Sequence, residues 1–452
     1  SSDYSGQSVS LSSDGSIVAI GAHLNDGGGG NSGHVRVYEK NNGTWTQIGS
    51  DIDGESSSDY SGYSESGSAV SLSGDGSVVA IGAYANDGNG GNSGHVRIYE
   101  NNNGTWTQIG SDIDGEGSSD YFGWSVSLSE DGSVVAIGAQ RDDGTSTDAG
   151  HVRIYENNNG TWTQIGSDID GEAYYDRSGW SVSLSSDGSV VAIGARENDG
   201  NGNTSGHVRV YKNVNGTWTK IGDDIDGEAA GDYSGHSVSL SSDGTVVAIG
   251  AYQNDGGGSS SGHVRIYQNI GTTGLNFTTD DTTAPVLSSS TPADDATAIT
   301  EGSNIVLNFS EVVDVESGNI VIYKSSDDSV LETIDVTSNQ VTGSGTTQIT
   351  INPTNNLESS TEYYVQIDTT VFDDTFGNSY AGIVNAWTQI GNDIDGEYNN
   401  DYSGNSVSLS ADGSIVAIGA YLNDGNGGNS GHVRIYENNN GTWTQIGSDI
   451  DG

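Results

Sequence analysis

A unit of about 56 residues recurs along this chain and leaves few folds open to it. The anchor Asp-Tyr-Ser-Gly, or a near variant of it, begins at Asp3, Asp59, Asp120, Asp176, Asp232 and Asp401, in steps of 56, 61, 56, 56 and 169 residues. A second anchor, from a tyrosine to the next tryptophan, spans 7 residues in Tyr38–Trp45, Tyr99–Trp106, Tyr155–Trp162, Tyr211–Trp218 and Tyr436–Trp443, but 120 in Tyr267–Trp387. The excess of 113 residues accounts for the last long step, so there are six repeats and the fifth is split by an insertion. Five extra residues around Ser64–Ser68 lengthen the second repeat and read as a longer loop or a bulge. Periods of this length belong to propellers and solenoids, in which a unit unable to bury its own faces stacks on its neighbours.

Each repeat reads as four strands. In the first, Ser8–Ser12 alternates polar and apolar residues with the period of a half-buried strand. Asp14-Gly15 is a strong hairpin signal, and it leads into Ile17–Ala22, apolar on both faces and therefore central. A Gly/Asn-rich loop precedes His34–Tyr38, and Asn42-Gly43 turns the chain into Thr44–Gly49. Four antiparallel strands arranged radially make a β-propeller blade. Alternating strand direction puts the two tight turns on one face and the long acidic loops on the other, where binding belongs. The end of the chain, Ile450-Asp451-Gly452, runs in phase into Ser1-Ser2-Asp3-Tyr4. A closed six-bladed ring is the expectation, with a slice of a longer array as its alternative.

The insertion has a different texture. It holds all three prolines, Pro285, Pro292 and Pro353, and short strands at Asn304–Ser310, Ile320–Tyr323, Gln348–Ile351 and Tyr363–Ile367. About seven such strands in roughly 100 residues read as a β-sandwich. Residues 1–270 are thus expected to form blades one to four and three strands of blade five, 271–385 the inserted sandwich, and 386–452 the rest of blade five and blade six. A domain whose ends lie close together can replace a hairpin turn without disturbing its blade.

Acidic residues outnumber basic ones by 62 to 13, giving a net charge of −49. Nucleic acid and anionic membrane would be repelled, whereas cations are favoured. With no cysteine and no methionine, disulfides and thiolate metal sites are excluded. No apolar run approaches the ~18 residues of a membrane span, so membrane insertion is not expected.

Tyr121-Phe122-Gly123, then Val134–Ala139, then Gly150-His151-Val152-Arg153-Ile154-Tyr155 resemble the FG-GAP repeat of integrin α-subunit propellers and their bacterial and algal relatives. The likeness extends over all six repeats and implies an extracellular adhesion propeller. Two features depart from it. Integrin blades often carry a calcium loop between the first two strands, whereas Ser12-Ser13-Asp14-Gly15-Ser16 is too short to wrap an ion, and integrins have seven blades. WD40 repeats are a weaker match, lacking here their closing Trp-Asp. Within the insertion, Thr282-Thr283-Ala284-Pro285-Val286, Ser290–Asp294, Asn308-Phe309-Ser310-Glu311 and Asp373–Asn378 resemble the bacterial Ig-like domain of S-layer and large surface proteins.

Four kinds of residue are candidates for a site. Carboxylates spaced two apart beside Gly and Asn carbonyls are the hard oxygen ligands Ca²⁺ prefers: Asp26, Asp51, Asp53, Asp87, Asp112, Asp114, Asp143, Asp168, Asp170, Asp226 and Asp395. Against this, Asp and Asn also cap turns. One position of the repeat varies, reading Gln7, Tyr63, Trp124, Trp180, His236 and Asn405, and a variable position in an otherwise uniform repeat points to ligand specificity. Tyr63, Trp124, Trp180 and His236 are the resulting ligand-binding candidates. The arginine of each third strand (Arg36, Arg97, Arg153, Arg209, Arg265, Arg434) is better explained by an ion pair within or between blades than by an anion site. The histidines two residues before them, and the fourth-strand tryptophans, read as capping or packing groups.

Neither a Ser/His/Asp arrangement nor a phosphate loop is present, and near-identical blades do not supply one asymmetric centre. The expectation is a non-catalytic extracellular or cell-surface module binding glycans or surface proteins, with Ca²⁺ as a bridging ion. Self-assembly with other copies into a filament or surface layer is the alternative, and a polysaccharide-active enzyme the alternative from another class.

Overall fold

The computed structural model describes residues 3–63, 69–269, 285–293, 296, 299–324, 329–358, 361, 363–368, 371–374, 380, 387–423, 430–439 and 441–451. The lengthening expected at Ser64–Ser68 lies outside them. The chain divides into two compact units: Ser1–Gln268 with Thr388–Gly452, and Asn269–Trp387. Among the described residues both units are built of strands and turns, with no helix.

Blade three shows why the repeat folds as it does. Phe122–Leu128, Val134–Ala139, His151–Asn158 and Thr161–Gln164 form an antiparallel sheet in chain order, and a short fifth strand, Ile169–Asp170, pairs back onto the start of the third. At the first turn the carboxylate Oδ1 of Asp131 accepts hydrogen bonds from Ser129 Oγ (2.8 Å) and the Ser133 amide (2.9 Å), with Gly132 in the left-handed region at φ +70°. That carboxylate is spent on the turn.

The second strand is buried along its whole length in blades two to five, as its two-sided apolar sequence requires. Each blade boundary buries one face from either side. Between blades two and three, Ala80, Val96, Ile98 and Ile113 meet Val126, Leu128, Val135 and Ile137. Each of these Val, Ile and Leu side chains contributes about 1.5–3 kcal/mol on burial. Close approach explains the glycine in Val-Val-Ala-Ile-Gly-Ala: a Cβ on Gly138 would collide with the backbone carbonyl of Gly179 in the next blade.

Blade five is completed across the insertion. Its strands Ser234–Leu240, Val246–Ala251 and His263–Asn269 are joined by Trp387–Gln389 and Ile394–Asp395. Among the described residues the first and sixth repeats do not cover each other's faces, so the closed ring expected from the phase of the repeat is not seen there. Val9 and Leu11, on the incoming face of blade one, are 54% and 58% exposed, and Val433, Ile446 and Ile450, on the outgoing face of blade six, are exposed too. Continuity of sequence phase fixes what each blade looks like, but not the rotation between blades that decides whether six of them meet.

The second unit packs two sheets. One runs Leu287–Thr291, Ile305–Val315, Thr346–Ile351, Val341–Thr342, with Phe372–Asp374 also on Ile305–Val315. The other runs Val330–Asp335, Asn319–Lys324, Tyr363–Ile367. Leu307, Phe309, Ile320, Ile322, Ile334, Ile349, Ile367 and Phe372 fill the space between.

Candidate functional site

The blade boundaries bring the repeated charged residues together. Pairing of the short fifth strand sets Asp53 opposite His34 and Ile52 opposite Val35. The acidic segment after each fourth strand therefore returns to the start of the third, where the repeated histidine and arginine project. Between blades one and two a cleft of about 440 Å³ is lined by Glu55, Asp59, Asn86, Asp87, His95, Asp112 and Asp114.

Each arginine is consumed by pairing, as the sequence analysis favoured. Arg36 is held bidentately by Asp51 at 2.9 and 2.8 Å, and Arg153 by Asp168 at 3.0 and 2.8 Å. Arg97, Arg209, Arg265 and Arg434 reach the preceding blade instead, donating to the backbone carbonyls of Asp53, Asp170, Asp226 and Asp395 and facing Glu55, Glu172, Glu228 and Glu397 at 3.2–3.7 Å. The hydrogen bonds from Arg36 hold the Asp51 carboxyl down at about 2 despite partial burial. Burial pushes Asp114, Asp170, Asp226 and Asp395 the other way, reinforced at Asp114, Asp226 and Asp395 by the neighbouring carboxylates Asp112, Asp224 and Asp393.

The eleven carboxylates proposed from the sequence thus fall into two sets. Asp26, Asp87 and Asp143 lie in the loop before the third strand, where each caps a turn: their Oδ1 atoms accept the amides of Asn31, Asn92 and Asp148 at 2.7–2.8 Å. Asp51, Asp53, Asp112, Asp114, Asp168, Asp170, Asp226 and Asp395 gather near the buried histidines. Three-ligand groups suited to a metal ion occur at His34/Asp51/Asp53, Glu55/His95/Asp112, His151/Asp168/Asp170, Glu172/His207/Asp224 and Glu228/His263/Asp393. Histidine membership is what sequence reasoning missed. A fifth strand of two residues is too short to show a period, and with it stayed hidden the reason for a histidine at the first position of every third strand.

The variable position is also brought together. Tyr63, Trp124, Trp180 and His236 follow one another through neighbouring blades, with ring centroids 6.0, 4.9 and 5.7 Å apart. Trp124 and Trp180 are only 5% and 3% exposed, and the Arg196 guanidinium lies 3.2 Å from the Trp180 ring centroid. At that exposure neither indole offers an open face to a sugar. Burial, with the Arg196 charge alongside, pushes His236 down to about 3.

Four stretches, 111–155, 167–211, 225–267 and 394–436, match the FG-GAP repeat model, and 281–388 match the bacterial Ig-like domain. The chain carries FG-GAP repeats and a bacterial Ig-like domain. No curated protein matches the sequence. Similar solved structures include a putative 6-phosphogluconolactonase from Bacteroides uniformis (10% identity over 98% of this chain and 85% of that one, TM-score 0.45). A periplasmic gluconolactonase from Pseudomonas aeruginosa (13%, 92% and 92%, 0.33) and the β-propeller domain of the Trilobed protease from Pyrococcus furiosus (10%, 85% and 97%, 0.34) are others. Likeness at that level carries no argument about activity. FG-GAP repeats and bacterial Ig-like domains are typical of extracellular or surface proteins.

Proposed function

We propose that this protein is a non-catalytic extracellular module of adhesion or structure, whose FG-GAP blades engage acidic glycans or surface proteins through the clefted loop face, with Ca²⁺ as the bridging ion. The observation that carries this reading is the recurrence of an acidic group of the Glu55/His95/Asp112 kind at successive blade boundaries, which opens into a cleft lined also by Asp59 and Asp114 between blades one and two. Repeated weak sites on one face favour multivalent ligands, because linked contacts raise avidity without any single strong one. The test is a thermal melt and a glycan-array binding assay, each run with millimolar Ca²⁺, with Mg²⁺ and with chelator. A Ca²⁺-specific rise in Tm together with Ca²⁺-dependent glycan retention supports the reading. Equal melts and equal retention in all three conditions sink it.

A second reading is self-assembly, and a specific observation favours it. Val9, Leu11 and Trp45 at one end, and Val433, Ile446 and Ile450 at the other, are the two halves of the interface that every internal boundary buries. A second copy placed head to tail would cover both.

A further inference from the structure

Several buried histidines at the blade boundaries carry a ring nitrogen with no hydrogen-bond partner among the described residues. At the boundary of blades four and five the side chain of His263 is 1% exposed, and neither Nδ1 nor Nε2 makes a hydrogen bond. Its Nδ1 is aimed into the cleft, 3.6 Å from Asp393 Oδ2 of its own blade and 3.8 Å from Glu228 Oε2 of the preceding one. These gaps exceed the roughly 2.7–3.2 Å of a hydrogen bond. They match instead the roughly 3.4 Å that separates two ligands each about 2.1 Å from one tetrahedral ion.

The arrangement recurs. His34 Nδ1, also without a partner, lies 3.5 and 4.0 Å from Asp51 and Asp53, and the unpartnered His432 Nδ1 lies 3.5 Å from Asp449. His207 Nδ1 is 3.9 Å from both Asp224 and Asp226. Blade three supplies an internal contrast: where the other five blades carry asparagine it has Asp142, whose Oδ1 takes His151 Nδ1 at 3.0 Å, a direct hydrogen bond.

We infer that the His263 cleft, and its equivalents with an unpartnered histidine, bind a divalent transition ion of the Zn²⁺ class. Calcium takes oxygen ligands, whereas a buried imidazole nitrogen beside two carboxylates selects Zn²⁺ and its neighbours. A water molecule fits the same gap, but among the described residues the one arginine or lysine paired with either carboxylate is Arg265, 3.7 Å from Glu228, which leaves an excess of negative charge that a dication removes. Glu228 and Asp393 are 46% and 28% exposed, so the ion enters from solvent. The inference goes beyond Ca²⁺-bridged adhesion and does not depend on it: the histidine-bearing groups take the transition ion, and Ca²⁺ is left to the cleft carboxylates outside them, such as Asp59 and Asp114.

The test uses the full chain stripped with chelator and titrated with Co²⁺ by visible absorption, then with Zn²⁺ by calorimetry. A saturable ligand-field spectrum is expected, bleached by Zn²⁺ and unmoved by a hundredfold excess of Ca²⁺. His263→Gln and Asp393→Asn should each lower bound Zn²⁺ by about one ion per chain, with parental far-UV circular dichroism. If either variant fails to fold, the parent chain still decides: Co²⁺ must paramagnetically shift histidine ring resonances in NMR. Absence of a Co²⁺ spectrum and of histidine shifts, displacement by Ca²⁺, or unchanged stoichiometry in the folded variants overturns the inference and leaves water in the cleft.

Discussion

The indole N–H of Trp162 crosses a blade boundary to donate to the carbonyl of Ile109 at 3.0 Å. The same bond joins Trp106 to Ile48, Trp218 to Ile165 and Trp443 to Ile390 at 2.9 Å. Trp45, on the exposed face of blade one, makes no such bond among the described residues and is 43% exposed. Trp162→Phe is therefore expected to cost about 1–2 kcal/mol, from one net hydrogen bond and some packing. Trp45→Phe should lie within about 0.5 kcal/mol of the parent. Urea unfolding of the two variants side by side checks the pair, and equal losses would show that the tryptophan does not act as a tie between blades.

A backbone clash gives a second paired test. A Cβ on Gly194 would meet the carbonyl of Gly235, which cannot move without shifting the next blade, whereas at Gly419 the nearest obstacle is the flexible Ser406 hydroxyl. Gly194→Ala should destabilise by about 3 kcal/mol or prevent folding, near the upper end of overpacking costs. Gly419→Ala should lose under about 1 kcal/mol, since no following blade approaches it. Comparable melting temperatures for the two would contradict the packing described for the internal boundaries.

Acid sensitivity should be traceable to His236. The groups facing it are Arg196 (3.4 Å from Nδ1), Trp180, Tyr252 and Asn405. Burial, then the Arg196 charge, depresses its folded pKa to about 3. A depressed basic group contributes stability that is intact above its unfolded value near about 6.5 and is lost as pH falls below it, because only the unfolded chain takes up the proton. Stability should fall by up to about 1.4 kcal/mol per pH unit between roughly 6.5 and 3 from this residue alone. His236→Gln should flatten the slope of melting temperature against pH in that window. An unchanged slope would mean that His236 is protonated in the folded state.

How much of this was legible in the sequence depended on whether neighbours in space were also neighbours in the repeat. Asp131-Gly132 and Asn159-Gly160 announced their hairpins because the turn chemistry is local, and Val134–Ala139 announced a central strand because its two-sided burial is written into its own residues. The Arg153–Asp168 pair was within reach for the same reason, both residues belonging to one unit. What stayed hidden was either too short to show a period or lay between units. Two residues, Ile169 and Asp170, are too few to show a strand period, so their pairing onto His151 could not be read, and the acid–histidine clusters went with it. Trp124 and Trp180 varied between repeats and so looked like ligand contacts. In the fold they face each other, with Arg196 over Trp180, which lets size and charge vary while the space remains filled.

The exposed end faces lead to the last prediction. Leu11 is 58% exposed, yet its counterpart Leu128 is 8% exposed, held by the boundary of blades two and three. Ile450 is 56% exposed against 6% for Ile113 at the same place in blade two. The two faces are complementary, since each internal boundary joins one of each kind, so copies of the chain can add head to tail without a symmetry limit. Sedimentation velocity over a hundredfold range of concentration should show association, strengthened by salt, which screens the charge of −49 that keeps copies apart. Leu11→Asp buries an unpaired carboxylate in any such contact and should abolish association while leaving the melting temperature within about 2 °C, because Leu11 is not buried in the isolated chain. A parent chain that stays monomeric at high salt and high concentration would rule head-to-tail growth out.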